Sequence, residues 1–278
     1  MARDSAAELL RRSVAHARGL PNANVSFVAC GYDTAFESLR GQVYRKLAQL
    51  ETFFGDRVEW TLTVIDDVPR ERALSKHARE AAAQLGLEHR LRLVEFAGRR
   101  FEDGRQKGEA LRQGFAYAAD EIAPDALVYL NLNLKVHAGF AATGLYHVLV
   151  QRQPAAIGTR SPEEGGHVRG AGSLGRAKSR AFNLWVSAVL PPLAAFRDTN
   201  APMKVFGREA VSLICSRSAV DHITMDCEWL LLLHLEGLNP IRYPIVWTQR
   251  EGSRPPWHRV PASALDVLRM RLQIRSHA

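Results

Sequence analysis

The sequence has few cysteines and no long apolar run, and each absence excludes a class of protein. Cysteine occurs three times in 278 residues, at Cys30, Cys215 and Cys227, and no CxxC pair is present. Three such thiols exclude a disulfide framework and give no sign of zinc or redox chemistry. The longest apolar stretches, 184–196 and 229–235, fall short of the roughly 20 residues that a membrane-spanning helix needs.

Targeting signals and several enzyme signatures are also missing. The N-terminus has no apolar core of a signal peptide, so we expect a cytoplasmic protein; contact with a membrane surface is left open. The chain has no GxxxxGK[ST] loop, no GxGxxG after its first predicted strand, and no HExxH or GxSxG. These absences argue against a P-loop enzyme, a dinucleotide-dependent dehydrogenase and an α/β-hydrolase.

Composition and charge are those of a folded, basic protein. Hydrophobic residues make up 46% and charged residues 24%, which excludes disorder of the whole chain. The formal net charge of +8 favours anionic partners such as nucleotides or lipid head groups. No motif of basic and aromatic residues supports nucleic-acid binding.

Strand-like and helix-like patterns alternate along the first half of the chain. Alternation of this kind predicts an α/β fold with a mixed, mainly parallel sheet and a Rossmann-like nucleotide-binding half. The predicted strands are 25–29, 60–65, 91–96 and 126–130, and the predicted helices are 36–54, 72–85 and 109–122. The segment 158–175 is rich in glycine and arginine and predicts a long functional loop.

Both ends of the chain carry basic amphipathic patterns. Residues 1–22 predict an N-terminal helix and linker, and 259–278 predict a basic amphipathic C-terminal helix. Such helices dock on the protein's own core or lie on an anionic bilayer. The segment between them, 23–258, is predicted to be one continuous domain.

Polar residues follow two of the predicted strands. Asp66 and Asp67 end the second strand, where ligands bind in open α/β sheets, although an aspartate there also caps a following helix. Asn131, Asn133 and Lys135 follow the fourth strand and share one face if that strand continues.

Two further segments suit catalysis or anion binding. Lys107 and Arg112 lie among glycines at a predicted helix start, which fits either a phosphate site or a solvated basic loop. Asp226 and Glu228 precede an apolar helix, where carboxylates act as a general base or as helix caps.

In order and spacing, these segments resemble glycosyltransferase family 2, which has the GT-A fold, over about 25–254. The resemblance is nearest to the polyprenyl- and dolichyl-phosphate hexose synthase branch. The motifs of this branch match the chain in order. Its first strand matches 25–29, its D-D turn 66–67, its G-K-G-x-A-x-R-x-G motif 106–114 and its G-S-R motif 158–160. Its R-x-x-S-x-x-x-N motif matches 176–183, its D-x-x-x-x-x-K-x-F motif 198–206, its F-D-x-E-L motif 225–229, and its P-V-x-W…G-S motif 244–247 with 252–253.

The resemblance implies a role for each matching residue. It implies a nucleotide-sugar half at about 23–135 and an acceptor half at about 136–258. The residues implied in nucleotide-sugar binding are Ala29, Gly31, Asp66, Asp67, Lys107, Arg112, Asn131, Asn133 and Lys135. Those implied in binding the acceptor or a phosphate are Arg160, Arg169, Arg176, Arg180 and Arg254, and the catalytic candidates are Asp226 and Glu228.

The activity implied is transfer of a sugar, with inversion, from a UDP-, GDP- or dTDP-sugar. The acceptor would be polyprenyl phosphate or a small hydroxylated molecule. The alternative is a non-catalytic or diverged homologue that binds a sugar nucleotide.

The sequence departs from the family at its metal site. The family's D-x-D motif, which holds Mg²⁺ or Mn²⁺, is Asn131-Leu132-Asn133 here. Asparagine brings no charge, and hard cations prefer anionic oxygens, so Asn133 would be only a weak ligand. Three outcomes stay open: metal held by other donors, loss of catalysis, or metal-independent transfer. We favour the last, with Lys135 and the arginines stabilising the leaving diphosphate.

Overall fold

We describe a computed structural model of the chain, over residues 6–30, 39–66, 74–98, 106–170, 173–248 and 260–277. Within two helices, the side chains of 173–176, 178, 260–262 and 273–277 lie outside the description. The helices are α1 (Ala6–Arg18), α2 (Leu39–Phe54), α3 (Leu74–Leu85), α4 (Lys107–Tyr117), α5 (Ala141–Leu145), α6 (Ser173–Val189), α7 (Arg208–Arg217), α8 (Met225–Leu235) and α9 (Val260–His277).

Strands alternate with these helices along the chain. They are β1 (Asn24–Cys30), β2 (Glu59–Asp66), β3 (Leu91–Glu95), β4 (Ala126–Leu130), β5 (Ala155–Thr159), β6 (His167–Arg169), β7 (Met203–Gly207), β8 (Ile241–Pro244) and β9 (Val246–Thr248). Seven form one sheet in the order β3-β2-β1-β4-β7-β5-β8, and β6 pairs with β9. Only β7 runs antiparallel to its neighbours in the larger sheet. The predicted mixed, mainly parallel sheet is confirmed.

The central strands are apolar because helices cover both faces of the sheet. β4 is buried along its whole length, and β1 is buried from its second residue onward. Phe27 and Trp60 belong to the core beneath α1, α2, α3 and α5, whereas Phe115 and Trp229 belong to the core beneath α4, α7 and α8. A continuous run of apolar residues is what a strand buried on both faces requires.

One prediction is wrong, and a condition attached to another is not met. β4 ends at Leu130, and the chain turns over 131–136, so Asn131, Asn133 and Lys135 do not continue the strand. The segment 158–175 is not one long loop, because it contains the end of β5, all of β6 and the start of α6. A tertiary pairing makes the difference: β6 has only three residues, and its partner β9 lies nearly 80 residues later.

Both terminal helices dock on the domain. α1 packs against α5 through Leu9, Ser13 and Ala17. α9 packs against α6 and α8, and buries Val267 and Met270. Among the helices described here, none is long and apolar enough to cross a membrane.

Candidate active site

Charged and aromatic side chains converge at one edge of the sheet, where β4 and β5 end and β7 begins. Antiparallel pairing of Leu130 with Met203 and of Ile157 with Lys204 brings these three strand ends together. Helices α4 and α8 begin beside them. We call the group formed here the edge cluster; its members are Lys107, Tyr129, Asn131, Lys135, Arg160, Asp198, Lys204, Asp226 and Trp247.

A buried ion pair lies at the centre of the edge cluster. Lys204 is fully buried, and its ammonium donates to the Asp226 carboxylate and, at 2.6 Å, to the Ala201 carbonyl. Burial lowers the pKa of Lys204, and Asp226 opposes that shift. Asp226, predicted as a general base, is therefore the counter-ion of a buried lysine.

A second ion pair joins the end of β5 to the 198–200 turn. Arg160 donates to both carboxylate oxygens of Asp198, at 2.8 and 2.6 Å, and to the Asn200 carbonyl at 3.1 Å. Burial alone would lower the pKa of Arg160, but Asp198 outweighs burial and the pKa is raised. Burial alone would raise the pKa of Asp198, yet Arg160 holds it below its usual range. Both groups therefore stay charged.

Lysines of the edge cluster contact its aromatic rings, and Lys204 lies 5.6 Å from the Tyr129 ring centroid. Lys107 lies 5.0 Å from the Tyr129 ring centroid and donates to the Tyr129 hydroxyl, which in turn donates to Asn131 Oδ1 at 3.1 Å. Lys135 lies 5.3 Å from the Trp247 ring centroid, and Arg160 lies 5.1 Å from the same centroid. Trp247 therefore holds two cations close together by cation–π contacts.

The residues present do not fit the divalent metal that the fold family implies. Asn131 Oδ1 accepts from Tyr129, and Asn133 Oδ1 accepts from the Lys135 amide at 3.3 Å. Both oxygens are neutral and lie beside lysines, whereas Mg²⁺ and Mn²⁺ favour anionic oxygens. Among the described residues, no three or more His, Cys, Asp or Glu side chains are grouped to hold a metal.

Two predicted carboxylates make structural contacts. Asp66 Oδ2 accepts from the Ser75 amide at 3.0 Å and from the Ser75 hydroxyl, near the start of α3. Glu228 is fully buried and accepts from the Ser218 hydroxyl at 2.5 Å and from the amides of Ala219 and Val220. Asp66 therefore caps the start of α3, which is the alternative role that the sequence left open. Glu228 stabilises the 218–220 turn.

Two residues of the 106–114 segment make contacts that hold α4 to the 220–221 loop. Arg112 donates to the Val220 carbonyl at 2.7 Å and pairs with Asp221. The Gly108 amide donates to the Asp221 carbonyl at 2.8 Å, and a Cβ at this glycine would overlap backbone atoms of the same loop. Of this segment, Lys107 is the side chain that reaches the edge cluster.

The remaining predicted residues divide into two groups. Ala29 is buried near the end of β1, and Arg169 on β6 and Arg180 on α6 are exposed. These three residues take no part in the hydrogen bonds, ion pairs and cation–π contacts that define the edge cluster. Outside the description lie Gly31, Asp67, Arg254 and the side chain of Arg176.

Sequence reasoning gave no role to Tyr129, Asp198, Lys204 or Trp247, although three of them stood inside matched motifs. The available signal was a charged residue in an apolar sequence, because Lys204 is the second residue of β7 and is buried among apolar neighbours. Buried lysines require a partner, which predicts a nearby carboxylate without identifying it.

Comparisons with known proteins support the fold. No protein-family model and no curated protein sequence matches the chain. Several solved structures do match. One is glucosyl-3-phosphoglycerate synthase from Mycobacterium tuberculosis in complex with Mn²⁺, UDP-glucose and phosphoglyceric acid. The two sequences are 14% identical, and the structures superpose with a TM-score of 0.64 over 98% of this chain and 85% of that one. A complex of the same enzyme with phosphoglyceric acid is 15% identical with a TM-score of 0.60 over the same shares, and another structure of it is 13% identical with a TM-score of 0.63, over 94% and 84%. The chain therefore has the GT-A glycosyltransferase fold.

Proposed function

We propose that this protein is a glycosyltransferase that uses a nucleotide-diphosphate sugar and needs no divalent metal. The observation that carries the proposal is the charge of the edge cluster. It contains four cationic side chains and two carboxylates, at the sheet edge where open α/β folds bind their ligands. The similarity to a UDP-glucose-binding enzyme supports the choice of donor class.

Fixed cations supply what a metal supplies elsewhere. When the sugar leaves, negative charge develops on the nucleotide diphosphate, and positioned Lys and Arg side chains stabilise it. Two unit charges 4 Å apart interact by about 4 kcal/mol at an effective dielectric constant near 20. We assign this role to Lys107 and Lys135, because Lys107 begins α4 and Lys135 lies in the turn after β4, at the sheet edge where ligands bind in open α/β folds.

The change from aspartate to asparagine also fits direct binding of an anion. Asn133 is 7% exposed, and its Nδ2 has no hydrogen-bond partner among the described residues. A carboxylate here would repel a diphosphate unless a metal lay between them. An amide N–H instead donates to a phosphate oxygen directly, which satisfies a buried donor that is otherwise costly.

The two carboxylates near the acceptor side favour a phosphate-bearing acceptor. Asp226 is paired with Lys204, and Glu228 is engaged by the 218–220 turn, so a hydroxyl acceptor would lack either of them as its base. A phosphate is already anionic and needs no base. Polyprenyl phosphate, implied by the family resemblance, meets this requirement, and the structural neighbour was captured with a phosphorylated acid.

The reaction is a single displacement. A phosphate oxygen of the acceptor attacks the anomeric carbon and forms the new C–O bond as the bond to the nucleotide diphosphate breaks. Attack from the opposite face inverts the configuration. The nucleotide diphosphate takes the bonding electron pair and leaves as an anion against Lys107, Lys135 and Asn133.

Calorimetric titration of UDP-, GDP- and dTDP-sugars, each with Mn²⁺ and again with EDTA, tests the proposal. We expect one donor to bind equally well in both conditions. Binding that requires Mn²⁺ would overturn metal independence. Binding without transfer to any phosphate or hydroxyl acceptor would favour the non-catalytic alternative.

Charge-removing variants make the test specific. Lys135→Met and Lys107→Met should each weaken donor binding at least tenfold in EDTA, because each removes one charge beside the diphosphate. Arg11→Gln is the matched control. It also removes one positive charge, from a 72% exposed side chain on α1, on the other side of the sheet.

A further inference from the structure

Large apolar side chains are exposed together on two neighbouring helices. Leu265, Leu268 and Leu272 on α9 are 49%, 51% and 64% exposed, and Leu184 on α6 is 68% exposed. Helices α6 and α9 pack against each other. Val150 is the other strongly exposed large apolar residue in the described part of the chain.

The exposed leucines of α9 lie on a different face of the helix from the residues that pack on the domain. Asp266, Val267 and Met270 are the buried residues of the central part of this helix. At 100° per residue, Leu265, Leu268 and Leu272 fall on the opposite face, at the i, i+3, i+7 spacing of an apolar stripe. The helix therefore has two apolar faces, and the domain uses one of them.

Positive charge surrounds the exposed stripe. Arg269 and Arg271 flank it, and the Arg269 side chain is 69% exposed. The sequences of α6 and α9 together contain six Lys and Arg residues but a single acidic residue, Asp266. Asp266 is buried and accepts from the Thr224 hydroxyl at 2.8 Å, while its other carboxylate oxygen lies 3.9 Å from Arg269 Nη1. This one carboxylate offsets part of the charge of Arg269 and leaves the surface with a net positive charge.

We propose that the exposed stripe of α9, formed by Leu265, Leu268 and Leu272, docks on an anionic lipid bilayer. Leucines enter the acyl boundary while the flanking arginines reach the head groups, as in interfacial helices. A second copy of this chain fits poorly, because a symmetric interface would bring the same cationic surface against itself. The inference does not rest on the proposed function, since docking requires no sugar nucleotide and no turnover.

Flotation with lipid vesicles tests the proposal on the full chain. We expect binding to vesicles of 70% phosphatidylcholine and 30% phosphatidylglycerol, and at least tenfold weaker binding to pure phosphatidylcholine. Arg269→Gln and Arg271→Gln should each weaken binding roughly fivefold, which is about 1 kcal/mol per arginine converted at 1.4 kcal/mol per decade. Raising the salt concentration should also weaken binding to the anionic vesicles.

The leucines are tested by Leu265→Ser/Leu268→Ser/Leu272→Ser, with Val150→Ser as the matched control. The triple variant should bind the anionic vesicles at least tenfold more weakly than the parent, whereas the control should bind as tightly as the parent. An unchanged thermal melt shows that both variants fold, because the replaced side chains are exposed.

Three results would overturn the inference. These are equal binding to neutral and anionic vesicles, equal binding by the triple variant and the parent, and a parent dimer in sedimentation velocity that the triple variant abolishes. Donor binding measured by calorimetry is independent of all three, so a failure here leaves the proposed transferase activity in place.

Discussion

At the scale of single residues, the candidate site depends on charges that neutralise one another inside the domain. Lys204 and Asp226 are both buried, and each is the other's counter-ion. Removing one partner of a buried pair leaves an uncompensated charge, which is more costly than removing both. This difference separates a structural role for Asp226 from a role as a base.

We expect Asp226→Asn to lower the free energy of unfolding by about 3–5 kcal/mol, because Lys204 loses its counter-ion. Lys204→Met/Asp226→Asn should recover more than half of that loss. The measurement is urea unfolding of the parent, of the single variants Asp226→Asn and Lys204→Met, and of the double variant, which together form a double-mutant cycle. A single variant as stable as the parent would show that the pair contributes nothing to the fold.

A second residue-scale effect concerns His137. Burial first and Lys46 second lower the pKa of this imidazole to about 4, and its Nδ1 accepts from the Gly139 amide at 3.0 Å. The unfolded chain has the ordinary histidine pKa near 6.5, so it binds more protons between these values. The contribution of His137 to stability is therefore complete above pH 6.5 and decreases as the pH falls toward 4.

We expect His137→Asn to flatten the pH dependence of stability between pH 7.5 and pH 5, since asparagine still offers an oxygen to the Gly139 amide. The measurement is the urea midpoint at both pH values. His89→Asn, at an exposed histidine, is the control. An equally steep decrease for parent and His137→Asn would refute this assignment.

At the scale of elements, close packing of α4 on the sheet decides which residues its inner face can carry. A Cβ at Gly114 would lie 2.8 Å from Ile65 Cγ1 and 2.8 Å from Val28 Cγ1. The glycine that matches the last position of a family motif therefore lets the helix approach β1 and β2. Glycine costs about 1 kcal/mol of helix propensity relative to alanine, which this contact must offset.

Gly114→Ala should destabilise the domain by about 1–3 kcal/mol, because overpacking outweighs the gain in helix propensity. Ile65→Val removes the Cδ1 methyl that the new Cβ meets. The double variant should therefore be more stable than the sum of the two single changes predicts. Strict additivity in urea unfolding would mean that the helix moves away without cost.

At the scale of the whole molecule, one sheet joins the proposed nucleotide-sugar half to the proposed acceptor half. β4 pairs with β1 on one side and with β7 on the other, and Leu127 is opposite Phe206 in that register. The edge cluster lies where the halves meet. Its Lys107 and Tyr129 come from the first half, and its Asp198 and Lys204 come from the second.

We therefore expect both halves to unfold in one cooperative transition. Native-state hydrogen exchange should give the same opening free energy for the Phe27 amide in β1 and the Val205 amide in β7. If the opening free energy of the Val205 amide were lower than that of the Phe27 amide by more than about 2 kcal/mol, the acceptor half would unfold separately.

Features that depend on neighbouring residues can be predicted from the order of the amino acids. β4 was predicted over its observed length, because five buried apolar residues bounded by turn residues leave little choice of structure. The absence of carboxylates at positions 131 and 133 is equally plain in the sequence, as is the basic amphipathic character of the C-terminal segment.

Only the tertiary structure decided which groups meet. Lys204 and Asp226 are 22 residues apart, Arg160 and Asp198 are 38 apart, and Lys135 meets a tryptophan from a strand more than 100 residues later. Periodicity carries no information on such pairs, because they form only when distant segments pack together and offset the entropy of closing the chain between them. Packing of α9 on α6 and α8 likewise decides which face of this helix is buried and leaves Leu265, Leu268 and Leu272 exposed.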